Sequence, residues 1–372
     1  MARVLILTAS YGSGHNEAAR CLAAAVSAHG AEPLVVDYFR TCVHPLFDRL
    51  SRRFYDALLR RAPAVWGLAY ELGDRMASDS WMTFGASRIG TPALGRLLAR
   101  VAPDAVLTVH ATPALAMASL AEDGRPVPPH VTVVTDFVAH SQWIASGIDH
   151  YCVAADEVAR EFAARGIPRA RIHVTGVPVR EAFASPVDGA AARRALGLRD
   201  DAPVVLAMAG SWAGLGRMPD VASALLATRW PVQGLLVAGR DRRLEERLRR
   251  LTDGSRLRVY GYVDDVRRMM AAADLLVTKA GGMTLAEAMA AETPLLVFGS
   301  LPGQEERNER FASRAGVALV ARNRRQLARL LDTALADTGL LDALRERMRA
   351  YRRPEAAQAV VALVVRRLAG RG

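Results

Sequence analysis

The chain has 372 residues, 51% of them apolar, and a formal charge of +11. That apolar content excludes a disordered chain, and the length accommodates two ordinary domains, each with its own core. Apolar runs such as "AVVALVV" are too short for a membrane span, and Cys21, Cys42 and Cys152 have no metal-site spacing.

The chain opens on a strand with no charged-then-apolar leader, so the expectation is a soluble cytoplasmic protein with reduced thiols. Arginine supplies 48 of the 49 basic residues, and Lys279 is the only lysine. Such a charge suits a solvated surface, an anionic membrane or nucleic acid. No zinc spacing, aromatic-rich basic strand or helix-turn-helix pattern supports nucleic acid.

In chain order, the predicted strands of the first half are "RVLILTA", "EPLVVDY", "AVLTVHA", "HVTVVTD" and "RIHVTG". Those of the second half are "PVVLAMAG", "QGLLVAG", "RLRVYGY", "DLLVTKA", "PLLVFGS" and "VALVA". Continuous apolar runs of this kind mark parallel strands covered by helices on both faces. The fold class is therefore α/β, with two doubly wound domains. Ligands of such sheets bind outside the carboxyl ends of the strands. The segment "TGVPVREAFASPVDGAAARRALGL", punctuated by Pro178, Pro186 and Gly189, divides the chain into domains 1–177 and 178–372. The final helix, about 355–370, is too apolar for a free tail and must pack on something.

The first strand leads into "TASYGSGHNEAA", where Gly12 and Gly14 permit a sharp turn and His15 stands at the start of a helix. A dinucleotide fingerprint would need a third glycine at Glu17, although Asp37 imitates the acidic residue that grips an NAD ribose. Along "LFDRLSRRFYDALLRR", Leu46, Phe47, Leu50, Phe54, Ala57 and Leu58 share one helical face, with Arg49, Arg52, Arg53 and Arg60 opposite. Two readings stand: a surface helix docked on the core by its apolar face, or a helix lying in an anionic membrane interface. "MAGSWAGLGRM" adds a second glycine-bearing loop after a strand. In "KAGGMTLAEAMAAETPLLVFGSLPGQEERN", Thr284 and Glu287 have the spacing of a capping box, and Glu287 equally suits a ribose diol. Gln304 and Glu305 offer sugar hydroxyls neutral and charged acceptors.

Taken in order, "TASYGSGHNEAA", "VTDFVAHSQWI", "TGVPVREAF", "AGSWAGLG", "YGYVDDV", "TKAGGMTLAEA" and "PGQEERN" resemble glycosyltransferase family 28. Its members build monogalactosyl- or glucosyl-diacylglycerol. A more distant relative transfers N-acetylglucosamine onto lipid I. The resemblance implies a GT-B fold, two Rossmann-like domains facing a cleft, with the last helix crossing back to the N-terminal one. It also implies an inverting, metal-independent transfer of glucose or galactose from a UDP-sugar to diacylglycerol or a glycosyl-diacylglycerol. No cofactor beyond the UDP-sugar co-substrate is expected, and the enzyme would lie peripherally on the inner face of the cell membrane.

Carried over by position, His15 is the implied general base, with Asp136 and His140 as competing candidates. The implied donor site comprises Arg180, Gly210, Ser211, Tyr262, Val263, Gly282, Thr284, Glu287, Gln304 and Glu305. Gly14, His140, Trp143, Arg49, Arg52, Arg53 and Phe54 would serve the acceptor and the membrane. The alternatives are a UDP-N-acetylglucosamine 2-epimerase-like isomerase, a transferase acting on a polyprenyl-linked sugar, an NAD dehydrogenase and a non-enzymatic UDP-sugar sensor.

Overall fold

Residues 1–75, 89–210, 217–252 and 254–369 are described by a computed structural model of the chain. The chain divides into two units, Met1–Arg180 together with Pro354–Gly372, and Glu181–Arg353.

The first unit is built on β1 (Arg3–Thr8), β2 (Glu32–Asp37), β3 (Ala105–Thr108), β4 (His130–Val133), β5 (His150–Val153) and β6 (Ile172–Val174). All are parallel, in the order β2-β1-β3-β4-β5-β6. Strands β3 and β4 are buried along their whole length, as expected of strands with helices on both faces. Strand β5 is absent from the sequence reading, which finds five strands here. Its run "HYCVAA" has a single aliphatic side chain larger than alanine, Val153, so it lacks the apolar signature of the other strands, yet Tyr151, Cys152 and Val153 are fully buried.

The second unit carries β7 (Val204–Met208), β8 (Gln233–Val237), β9 (Leu257–Tyr260), β10 (Leu275–Thr278), β11 (Leu295–Phe298) and β12 (Ala318–Ala321). The order is β12-β11-β10-β7-β8-β9, again all parallel. Both units are thus doubly wound. In each, the chain leaves its first strand to one side and later returns to the other. The resulting crevices lie at the carboxyl ends of β1 and β3 in the first unit and of β7 and β10 in the second.

The last helix, Ala356–Ala369, packs against the helix Gly14–Ala28. It buries Ala356, Ala357, Val360, Val361, Leu363 and Val364. No helix among the described residues is long and apolar enough to cross a membrane.

The helix Pro45–Arg61 starts where the Nδ1 of His44 accepts the Leu46 N–H, with Pro45 at its first position. Its apolar face is not docked. Leu46, Phe47, Leu50 (55% exposed) and Phe54 (70%) point to solvent, while the opposite side buries Asp48 and Leu59. The next helix, Pro63–Arg75, also exposes Val65, Leu68 and Leu72. Tyr55 and Trp66 pack edge to face between the two helices, ring centres 4.9 Å apart. The docked reading of this amphipathic stretch is therefore corrected: polar contacts and a few inner side chains hold it, and among the described residues its apolar stripe stays exposed.

Candidate active site

In the first unit, Gly12 at φ +96° turns the chain after β1. The loop is braced by side chains. Thr8 Oγ1 donates to Asn16 Oδ1 (3.0 Å), and Asn16 Nδ2 donates to Ser10 Oγ (3.0 Å). Ser10 Oγ in turn donates to Asp37 (2.5 Å), which also accepts the Arg40 N–H. The carboxylate that imitated an NAD ribose clamp is therefore occupied in holding the loop. Gly14 begins the helix that carries His15.

His15 Nδ1 lies 2.7 Å from the Val109 carbonyl oxygen and 3.2 Å from Thr135 Oγ1. A carbonyl only accepts, so Nδ1 carries the hydrogen and Nε2 presents a lone pair, the arrangement a general base requires. Burial pushes the His15 pKa below its ordinary value, against the opposing pull of the Asp136 charge and of the Val109 bond. Asp136 is buried and follows Thr135 directly. Its charge acts on the imidazole, raising the His15 pKa against the effect of burial. Arg180, at the end of the same unit, lies 3.6 Å from Glu17 on the helix of His15.

His140 and Trp143 are buried and do not form an exposed entrance. His140 Nε2 donates to the Tyr70 carbonyl (3.1 Å), while Nδ1 accepts the Gln142 N–H (3.1 Å). His140 thus has both nitrogens engaged in holding neighbouring backbone. It pins the helix Pro63–Arg75, helped by Ser141, whose hydroxyl donates to the Gly73 carbonyl (2.8 Å). Arg49 and Arg53 are exposed beside the apolar stripe, whereas Arg52 turns inward to pair with the buried Asp48.

In the second unit, adjacent strands β7, β10 and β11 deliver Gly210, the Lys279–Gly282 turn and the Gly303–Glu305 turn to one sheet edge. Gly210 has φ +69°, and a Cβ there would stand 3.2 Å from Lys279 Cε. Lys279 Nζ donates to Glu305 Oε1 (2.7 Å), and the Leu301 N–H donates to Oε2 (2.9 Å). Glu305, expected at the sugar, thus has both oxygens occupied, and both partners of the ion pair are largely buried. Gln304, one residue earlier, is half-buried at the start of the helix Gln304–Arg314.

The capping box is also corrected. The helix Gly282–Ala291 is capped by Gly281, and the Leu285 N–H bonds back to the Gly281 carbonyl (3.0 Å). Thr284 and Glu287 lie inside the helix, so the capping explanation for a buried Glu287 falls away. Tyr262 and Val263 follow β9, at the same sheet edge but three strands from β10. Tyr262 is 54% exposed, and the Arg240 guanidinium stacks over its ring at 4.6 Å. Ser211 lies outside the described residues.

Two residues at the crevices escaped assignment from sequence. His110 ends the run after β3, with its ring centre 4.8 Å from that of His15, and Lys279 ends the run after β10. The available signal was the same for both: a polar side chain just beyond a strand's carboxyl end. Among the described residues, no three His, Cys, Asp or Glu side chains group to hold a metal ion.

The two-unit fold has close structural counterparts. MurG of Acinetobacter baumannii superposes with a TM-score of 0.67 at 17% identity, over 98% of this chain and all of that one. A UDP-N-acetylglucosamine 2-epimerase of Neisseria meningitidis, bound to UDP-N-acetylglucosamine, follows at 0.63 and 13%, over 98% of this chain and 100% of that one. Residues 15–179 match the family model of monogalactosyldiacylglycerol (MGDG) synthase, and residues 192–353 that of glycosyl transferases group 1. Fold and domains together define a glycosyltransferase of the GT-B type. Its first unit is similar to MGDG synthase over residues 15–179, and nearly the whole chain is similar to processive diacylglycerol beta-glucosyltransferases. The protein of that name from Bacillus mycoides is 29% identical over 366 residues, covering 96% of this chain and 92% of its own length. That from Bacillus cytotoxicus is 28% identical over 370 residues, covering 98% and 93%.

Proposed function

We propose that this protein transfers a hexose, with inversion, from a UDP-sugar to diacylglycerol or a glycosyl-diacylglycerol at the inner face of the membrane. The observation that carries the reading is the fixed tautomer of His15, whose Nε2 is left as a proton acceptor within the segment that matches the MGDG synthase family model. In the reaction, the acceptor hydroxyl oxygen bonds to the anomeric carbon and its proton passes to His15 Nε2. The bond from that carbon to the β-phosphate oxygen breaks, and UDP leaves with the electron pair. A base of this kind contributes about 10²–10⁴-fold.

The donor belongs to the second unit in this reading. Gly210 admits the diphosphate close to the backbone, Thr284 faces phosphate, and the buried Glu287 takes the ribose hydroxyls. Gln304 meets the transferred sugar, and Tyr262 and Val263 frame the uracil. Lys279 supplies positive charge beside Gly210, and we expect transfer to proceed in the presence of a metal chelator. Glucose is the expected hexose, because the full-length relatives are named for glucosyl transfer.

The membrane reading is supported by the uncovered stripe of Leu46, Phe47, Leu50 and Phe54, flanked by the exposed Arg49, Arg53 and Arg60. Apolar side chains at the acyl boundary beside snorkelling arginines suit an anionic interface. The 2-epimerases share the fold at 13–16% identity and carry no weight against whole-length similarity to transferases.

The test is transfer of label from UDP-glucose and, separately, UDP-galactose to diacylglycerol in mixed micelles, with a lipid-free control and His15→Ala. Lipid-soluble label, lost in His15→Ala, is expected. Turnover of the UDP-sugar without lipid would instead point to an isomerase, and donor binding with no product to a sensor.

A further inference from the structure

The crevice at the ends of β1 and β3 holds two imidazoles, and their hydrogen bonds have opposite polarity. His15 donates through Nδ1 to the Val109 carbonyl. His110 instead caps the helix Ala111–Glu122, its Nδ1 accepting the Thr112 N–H at 3.1 Å. Neutral His110 therefore carries its hydrogen on Nε2. The crevice has one fixed acceptor, His15 Nε2, and one fixed donor, His110 Nε2–H, on rings packed edge to face at 74°. Among the described residues neither Nε2 has a hydrogen-bond partner.

Burial and the neighbouring His15 hold the His110 pKa well below its ordinary value. It thus stays neutral and adds no second charge when His15 takes a proton. One side of His110 is apolar. Phe39 stands edge-on to it at 6.2 Å and stacks at 6.4 Å on Phe47, which belongs to the exposed stripe of the helix Pro45–Arg61. The rings form a continuous path from the uncovered apolar face to the histidine pair.

Building on the transfer reading above, we propose that His110 binds the acceptor lipid. Its Nε2–H donates to an oxygen neighbouring the reacting hydroxyl, a glycerol ester or a sugar hydroxyl, while the acyl chains run along Phe39 toward Phe47. This arrangement leaves the reacting hydroxyl to His15 alone. A donor aimed at the attacking oxygen itself would weaken the nucleophile.

The test uses dioctanoylglycerol as acceptor with His110→Asn and His110→Gln. Asparagine keeps an oxygen where Nδ1 caps the helix but does not reach further, whereas glutamine places an amide N–H near the position of Nε2. His110→Asn is expected to raise KM for dioctanoylglycerol about tenfold or more, as the loss of one bond of about 1.4 kcal/mol implies. Its KM for UDP-glucose and its melting temperature should stay at wild-type values, and His110→Gln should recover most of the loss. An unchanged acceptor KM in His110→Asn, or a donor KM rising in step, overturns the proposal.

A second measurement needs no variant enzyme to be active. In ¹⁵N-histidine-labelled wild-type protein, dioctanoylglycerol should shift the His110 imidazole resonances, and their indifference to the lipid overturns the proposal. Wild-type protein that binds UDP-glucose yet neither binds nor glycosylates dioctanoylglycerol would overturn the transfer reading itself, and this inference with it.

Discussion

At the scale of single residues, the chemistry depends on which atoms are already committed. His15 has one nitrogen tied to Val109, and burial lowers its pKa, so the basic form prevails at neutral pH. Activity should therefore be flat near pH 7 and fall on acidification, with a midpoint below the ordinary imidazole value of about 6.5. Asp136→Asn removes a charge that favours the imidazolium, so this acid limb should move to still lower pH while the neutral plateau persists. Were Asp136 itself the base, the variant would lose activity at every pH. A pH profile of kcat/KM for both proteins decides. Lys279 and Glu305 form the corresponding pair in the second unit, both largely buried. Lys279→Met leaves a carboxylate without its counter-charge and should cost about 3–5 kcal/mol of stability. The double variant Lys279→Met/Glu305→Gln should recover stability in thermal unfolding yet retain a KM for the UDP-sugar raised about tenfold, as loss of a charged contact of about 1.4 kcal/mol implies. A wild-type donor KM in the double variant would reduce Lys279 to a partner of Glu305.

At the scale of elements, the helix Pro45–Arg61 has its polar residues where a docked helix would be apolar. Asp48 is inside, paired with Arg52, and Ser51 bonds the Tyr11 hydroxyl of the His15 loop. The neighbouring helix Pro63–Arg75 is held by His140, Ser141 and an Arg165–Asp74 ion pair of 2.6 Å. Such bonds anchor both helices and leave Leu50 and Phe54 exposed, the side chains that the proposed function places in a lipid interface. Replacing both by serine should leave the melting temperature within about 2 °C, since exposed side chains contribute little to stability, while binding to anionic vesicles drops. Arg49, Arg53 and Arg60 changed together to glutamine should abolish the preference for anionic over neutral vesicles. Co-sedimentation with vesicles of both compositions reads each effect, and undiminished binding would remove the helix from the membrane.

At the scale of the whole molecule, the first unit is completed by the far end of the chain. Val360, Val361, Leu363 and Val364 are buried on the last helix, which packs against the helix carrying His15. At about 1.5–3 kcal/mol per buried aliphatic side chain, the segment contributes on the order of 6–12 kcal/mol. That is comparable with the total stability of a domain, about 5–15 kcal/mol. Deleting residues 354–372 should therefore lower the unfolding temperature of the first unit and abolish transfer, while the second unit keeps its own transition and its affinity for UDP. Calorimetry on the shortened chain shows whether one transition moves or both.

Much of this architecture is legible in the amino-acid sequence because it rests on local patterns. Unbroken apolar runs followed by helical periods dictate parallel strands covered on both faces, and the glycine-bearing loops after strands mark where ligands belong. Eleven of the twelve strands among the described residues are visible in this way; β5 is not, because Val153 is its one aliphatic side chain larger than alanine. The motifs in their order resemble glycosyltransferase family 28, and that resemblance already implies a lipid glycosyltransferase with His15 beyond β1 as its base. What the tertiary structure alone decided is which groups are free to act. The partner of His15 is 94 residues away, that of His140 is 70 away, and that of Lys279 is 26 away. No local pattern could show that His140 and Glu305 are already engaged, that His110 stands beside His15, or that an amphipathic helix turns its apolar side outward. Hydrogen-bond geometry and solvent exposure arise from packing between distant segments, and a one-dimensional pattern does not carry them.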